Sequence, residues 1–170
     1  MNITRICSFT LFCLTILLGF GFKSYSSLIT PEINKSLLLE RHNYYRNKVG
    51  VPPLTWSNEL AEIAQIWANE LAKNCELQHS NAGFGENIYW SSGEASEVEV
   101  VDNWASEEHF FNHNKRVFKE AATSRVGHYT QIIWRGTKLL GGAKQKCRHG
   151  GEIWVCNYDP PGNWVGSKVY

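Results

Sequence analysis

The sequence lacks an excess of charge of either sign, with 17 lysines and arginines against 16 aspartates and glutamates. It therefore carries no electrostatic footprint of a nucleic-acid binder, and no nucleic-acid partner is expected. Long apolar runs are missing beyond the first 22 residues, and there is neither an internal repeat nor a low-complexity tract. There is also no His-Glu-x-x-His helix and no Gly-x-Ser-x-Gly turn, and no cysteine sits in a recognisable nucleophile motif. The usual sequence warrants for hydrolysis are thus absent.

The one apolar run, Ile6 to Phe22, follows Arg5 and precedes the small residues Ser24, Ser26 and Ser27. That order reads as a secretory signal peptide over residues 1–26, with a secreted, extracellular mature chain. As an uncleaved anchor the run is short for a spanning helix. Removing it takes away Arg5 and Lys23 and no acid, so 17 basic groups become 15 against 16 acidic ones. It also removes Cys7 and Cys13, which leaves Cys75, Cys147 and Cys156 in an oxidising compartment. Three thiols allow one intrachain bridge and leave one over.

Within the mature chain, Thr30-Pro31-Glu32 has the order of a helix start, and a helix to about Lys48 is expected before Gly50-Val51-Pro52-Pro53 stops it. Ser57 caps a second helix in which Leu60, Ile63, Ala64, Trp67 and Leu71 recur at helical spacing. Ser96 and Glu99 form a capping box for a third, ending near Phe111. Tyr129 to Trp134 and Ile153 to Tyr158, rich in β-branched and aromatic residues, are predicted as strands, with Gly150-Gly151 turning the chain before the second. Helices first and strands last predict an α+β domain in which helices cover a small sheet. Most of the seven tryptophans are expected in its core.

Two segments carry a resemblance. Gly-His-Tyr-Thr-Gln-Ile-Ile-Trp at 127–134 and Trp-Val-Cys-Asn-Tyr-Asp-Pro-Pro-Gly-Asn-Trp at 154–164 resemble the signature motifs of the CAP superfamily. His42-Asn43, Pro53-Leu54-Thr55-Trp56, His79-Ser80 and Gly85-Glu86-Asn87 fit it in order. The likeness covers residues 33–170, and the chain is most similar to the class 1 pathogenesis-related proteins of plants. It implies a three-layer α-β-α sandwich, a monomer, and a defence or effector-type binding module.

The resemblance also implies a central cleft lined by His79, Glu86, Glu107 and His128. Two imidazoles and two carboxylates make a plausible divalent-cation site, with nitrogen ligands favouring zinc. The same four residues are equally a set of structural hydrogen bonds between helix and sheet. His42, between Leu38 and Tyr45 on a helix, reads as a satisfied core histidine, and His109, His113 and His149 as solvated. A metal-dependent protease or esterase acting through the cleft, with a glutamate as base, is the alternative function. Relatives that bind sterols or fatty acids do so through a loop that falls here at Phe110 to Val126. Phe110, Phe111, Val117 and Phe118 alternate there with Lys115, Arg116 and Lys119, a mixture suited to a sterol or lipid ligand and to a membrane surface. The other reading packs the phenylalanines inward.

Relatives with three bridges have six cysteines. By that comparison Cys75 pairs with Cys147, and the partner of Cys156 falls at Gly142, leaving Cys156 free; a Cys147–Cys156 bridge is the alternative. Plant members also release a short C-terminal signalling peptide. The matching cut falls between Asp159 and Pro160, although Val169-Tyr170 departs from the relatives' ending. The structural alternative holds the tail down through Trp164.

Overall fold

The computed structural model describes residues 32–119 and 123–170. The leader at 1–26 and the Thr30-Pro31 pair lie outside the described residues. Helix α1 (Lys35–Lys48) starts later than its sequence predicts, because Asn34 is the residue whose side chain accepts from the Leu37 N–H. A cap with a short acceptor fixes a helix start more directly than a proline upstream of it. Gly50, at φ 69°, turns the chain out of α1 as expected.

Strand β1 (Thr55–Trp56) leads into helix α2 (Asn58–Leu71), capped by Ser57, which accepts from Leu60 N at 3.2 Å. Strand β2 (Gly85–Ser91) precedes helix α3 (Glu97–Ala105), where both halves of the Ser96/Glu99 capping box are made. A 3-10 turn, Ser106–Phe110, extends α3. Helix α4 (Thr123–Ile132), strand β3 (Leu139–Lys146) and strand β4 (Glu152–Asp159) complete the order.

The strand predicted over Tyr129 to Trp134 is thus mostly helix. Val126, Tyr129, Ile132 and Ile133 recur at helical spacing and are all buried, so tertiary packing overrides β propensity. The sheet order is β1-β3-β4-β2, with β1 parallel to β3 and the other pairs antiparallel.

Alternation along the strands divides the core. Ile88, Val155 and Ala143 lie opposite one another in register and pack with Ala64, Ala68 and Leu71 of α2. Leu140, Trp154, Cys156 and Tyr158 point the other way, into a larger core with α1, α3 and α4. The result is the expected three-layer α-β-α sandwich. Gly141 makes the first interface possible, because a Cβ there would stand 2.2 Å from the Ala61 backbone nitrogen.

Two further devices hold the layers. Arg46, fully buried in α1, donates to the carbonyls of Pro52, Ile132, Trp134 and Thr137. Cys75 and Cys147 form the disulfide that the resemblance implies, Cα atoms 5.7 Å apart and 72 residues apart in sequence. Closing so long a loop is worth about 4 kcal/mol in the chain-entropy account. Cys156 is free and buried.

Candidate functional site

The four cleft residues form two pairs. His79 lies in the loop ahead of β2 and places Nδ1 2.7 Å from Glu86 Oε1, which also accepts from Ser80 N at 3.0 Å. The carboxylate is shielded and the ring is not, with side-chain exposures of 6% and 65%. The hydrogen bond to Glu86 raises the His79 pKa, burial opposes it, and the carboxylate charge adds to the rise. Glu86 Oε2 is buried and has no hydrogen-bond partner among the described residues.

Glu107, on the 3-10 turn, holds His128 of α4 more completely. Its Oε1 lies 2.7 Å from His128 Nδ1, and its Oε2 accepts from the backbone N–H groups of His128 at 2.9 Å and Tyr129 at 3.1 Å. The Trp104 indole stacks on the His128 ring, centroids 6.2 Å apart and planes 19° apart. Among the described residues, no three His, Cys, Asp or Glu side chains converge where a metal ion could be held. The structure therefore brings each histidine to its own glutamate and leaves the two pairs as separate units.

A buried hydrogen-bond chain supports the second pair from below. His42 Nδ1 donates to Leu38 O at 2.8 Å, since a carbonyl can only accept. Its Nε2 must then accept from the Tyr158 hydroxyl at 2.8 Å, because the ring is neutral. Burial pushes the His42 pKa down to about 4, with the Leu38 carbonyl opposing and the Arg46 charge assisting. Asn87 Nδ2 lies 3.1 Å from both the Tyr158 hydroxyl and His128 O, and so reaches α4. Asn87, Trp104 and Tyr158 escaped the sequence reading as support for the site. The only signal for Asn87 was its place in Gly-Glu-Asn.

The loop residues divide. Phe118 is 2% exposed and meets the Trp134 ring edge-on, and Phe111 is 8% exposed beside Tyr129. Phe118 is therefore a core residue and not an exposed ligand contact, and Phe111 packs largely inward. Phe110 is half exposed under the Arg125 guanidinium, 4.4 Å from the ring centroid, and Val117 bridges to Lys168. Phe110, Phe111, Val117 and Val126, with Lys115 and Lys119, line a cavity of about 160 Å³. His109, His113 and His149 are all exposed, as expected, and His113 Nδ1 also pairs with the Tyr170 hydroxyl at 2.8 Å.

Comparison with known proteins identifies the family. Residues 39–158 match the family model described as CAP, the cysteine-rich secretory protein family. The chain is 41% identical over 133 residues to pathogenesis-related protein 1C of Nicotiana tabacum, covering 78% of each chain. It is 42% identical over 132 residues to pathogenesis-related protein 1 of Arabidopsis thaliana, covering 78% of this chain and 80% of that one. The crystal structure of NaASP2 with Zn2+ superposes with a TM-score of 0.73 at 25% identity, covering 85% and 88% of the two chains. The chain belongs to the CAP, or cysteine-rich secretory protein, family, among relatives of the plant pathogenesis-related protein 1 type.

Proposed function

We propose that the protein is a secreted, defence-type binding module, and not an enzyme, in which His79 and His128 offer ring nitrogens to a divalent cation, zinc before others. One observation carries this reading. In both pairs a carboxylate engages Nδ1 at 2.7 Å, which leaves Nε2 as the lone-pair nitrogen of a neutral ring. Carboxylate to histidine to metal is the order by which proteins orient and strengthen an imidazole ligand.

Imidazole nitrogen is a donor type that zinc accepts, and with only two protein ligands on offer water would have to complete the shell. The roles differ from a four-ligand site. Glu107 spends both oxygens on three N–H groups and positions His128, while Glu86 keeps one buried oxygen, Oε2, as a free acceptor. Bound zinc would supply a fixed positive charge for an anionic partner group. Secretion is supported by the leader sequence and the disulfide, and the defence role by the names of the plant relatives.

Zinc titration by calorimetry on the wild type and the His79→Ala, His128→Ala double variant tests the proposal. Binding in the wild type and none in the variant is expected. No binding, or equal binding, removes the metal reading. Metal-dependent turnover of a peptide or ester that vanishes in Glu86→Gln would instead establish the hydrolase.

The cavity beneath Phe110 favours a second reading, a lipid ligand. At about 160 Å³ it is smaller than the usual small-molecule site, so it suits the end of a chain or ring system in contact with Phe110 and Val117. Sterol pulldown comparing wild type with Phe110→Ser reads this out, and no retention by the wild type ends it.

A further inference from the structure

Trp164 does not hold the tail down. It is 60% exposed, and Val165 beside it is 62% exposed. These are large apolar side chains at the tip of a tight turn, closed by Ser167 N donating to Trp164 O at 3.0 Å with Gly166 at φ 83°. The turn is fixed on both sides. Before it, Asn163 donates to Gly127 O at 2.8 Å and accepts from the Thr130 hydroxyl at 2.7 Å. After it, Gly166 N donates to Phe118 O, Phe118 N to Ser167 O and Val169 N to Arg116 O, at 2.8–3.0 Å. The indole N–H is also committed, to Pro161 O at 2.9 Å. A core-like dipeptide is thus presented rigidly to solvent, an arrangement that the packing of the domain does not require.

Its surroundings are cationic. The Val117–Lys168 bridge sets Lys168 beside the loop, and Lys119 directly follows Phe118, the residue bonded to the turn. Lys119, Lys168 and Lys115 are all exposed. Residues 110–119 and 160–170 together contain four basic side chains and no acidic one, with Glu120 and Asp159 adjoining these segments in sequence. The chain as a whole is nearly neutral, so this is a local asymmetry.

We propose that the Trp164–Val165 turn and the lysines beside it form an edge that docks on an anionic lipid bilayer, the indole and valine entering the interface while Lys119 and Lys168 meet headgroup phosphates. Aromatic and aliphatic tips flanked by lysine suit the boundary between headgroups and acyl chains. Lysines near such a surface gain from its negative potential. Prior fixing of the turn lowers the ordering cost of insertion. The proposal rests on neither the zinc reading nor the cavity reading.

Sedimentation of the mature chain with sterol-free vesicles of phosphatidylcholine, with and without phosphatidylserine, tests it. Binding is expected to the phosphatidylserine vesicles and to fall steeply with salt. The Trp164→Ser, Val165→Ser variant is expected to bind roughly tenfold more weakly with an unchanged thermal midpoint. Lys168→Glu, which leaves both the turn and the cavity-lining Lys119 intact, is expected to weaken the preference for anionic vesicles. No binding by the wild type, equal binding to both vesicle types, or wild-type binding by the first variant would each overturn the proposal. Because the probe contains no sterol or zinc and the variants leave His79, His128 and Phe110 in place, its failure is separate from theirs.

Discussion

Gly142 lies directly across the sheet from Cys156, and a Cβ built on Gly142 would stand 2.9 Å from the Cys156 sulfur. Leu140 O accepts from Ser57 N, the residue that follows β1, so even-numbered residues of β3 turn their backbone groups away from β4. Gly142 and Cys156 are therefore a non-hydrogen-bonded pair, the closer of the two antiparallel kinds. Gly142→Cys is expected to form a second bridge. The gain is about 3 kcal/mol at most, reduced by the shift of Leu38, whose Cδ2 lies 2.8 Å from the new Cβ. Non-reducing peptide mapping and the denaturation midpoint check it. In the wild type, burial raises the Cys156 pKa, so its thiol should resist alkylation until the protein unfolds.

His42 makes stability depend on pH in a defined direction. Its folded pKa is about 4, against 6.5 for the ordinary group. Between those values the unfolded chain binds a proton that the folded chain refuses. Stability is then full above pH 6.5, falls as the pH drops towards 4, and gains nothing from this group below that. The full effect is about 3 kcal/mol. His79 works in the opposite sense, its raised pKa favouring the folded state at low pH, with solvent weakening the effect at an exposed ring. Denaturant midpoints from pH 4 to 7.5 should show the loss, and His42→Gln should flatten the profile.

The two halves of the aromatic loop should respond differently to the same substitution. Phe118→Ser empties a core position beside Trp134 and is expected to cost about 3–5 kcal/mol. Phe110→Ser, half exposed, is expected to cost under about 1 kcal/mol. Chemical denaturation separates them, and a small loss at Phe118 would contradict its place in the core. A binding defect in a Phe118 variant would therefore report unfolding, while one at Phe110 would report contact with a ligand.

What could be read from the sequence was local chemistry. Ser57 and the Ser96/Glu99 box fix helix starts through bonds spanning three residues, and both were legible. Strand β3 was not, because Gly141 and Gly142 carry no strand signal and are small for a tertiary reason, the approach of α2 and of Leu38. Thr130-Gln131-Ile132 has strand composition and becomes helical because its neighbours bury one side of it. The His and Glu residues of the site were legible by resemblance, but their grouping was not. Nothing local links Glu107 to the backbone of Tyr129, or Asn87 to Tyr158 71 residues away. The inward course of Phe118 was hidden for a similar reason, since the segment that pairs with it comes from the chain end.

That pairing bears on release of a peptide beginning at Pro160. The carbonyl of the scissile bond, Asp159 O, accepts from Lys138 N at 2.9 Å, at the end of β4. Beyond it, Val169 is fully buried, its N–H bonded to Arg116 O and its carbonyl accepting from Arg135 N at 2.8 Å. Tyr170 pairs with His113 and lies under the Arg116 guanidinium, 4.7 Å away. Cleavage before Pro160 requires the end of β4 to open, and departure of the fragment requires Val169 to leave the core, so local unfolding limits both steps. The folded wild type is expected to stay intact when incubated with extracellular proteases. Val169→Asp, which places a charge in a site with no solvent exposure, should free the tail and speed cutting. Mass spectrometry over time, following the fragment that starts at Pro160, reads both. Rapid release from the folded wild type would show that this segment opens far more readily than its contacts require.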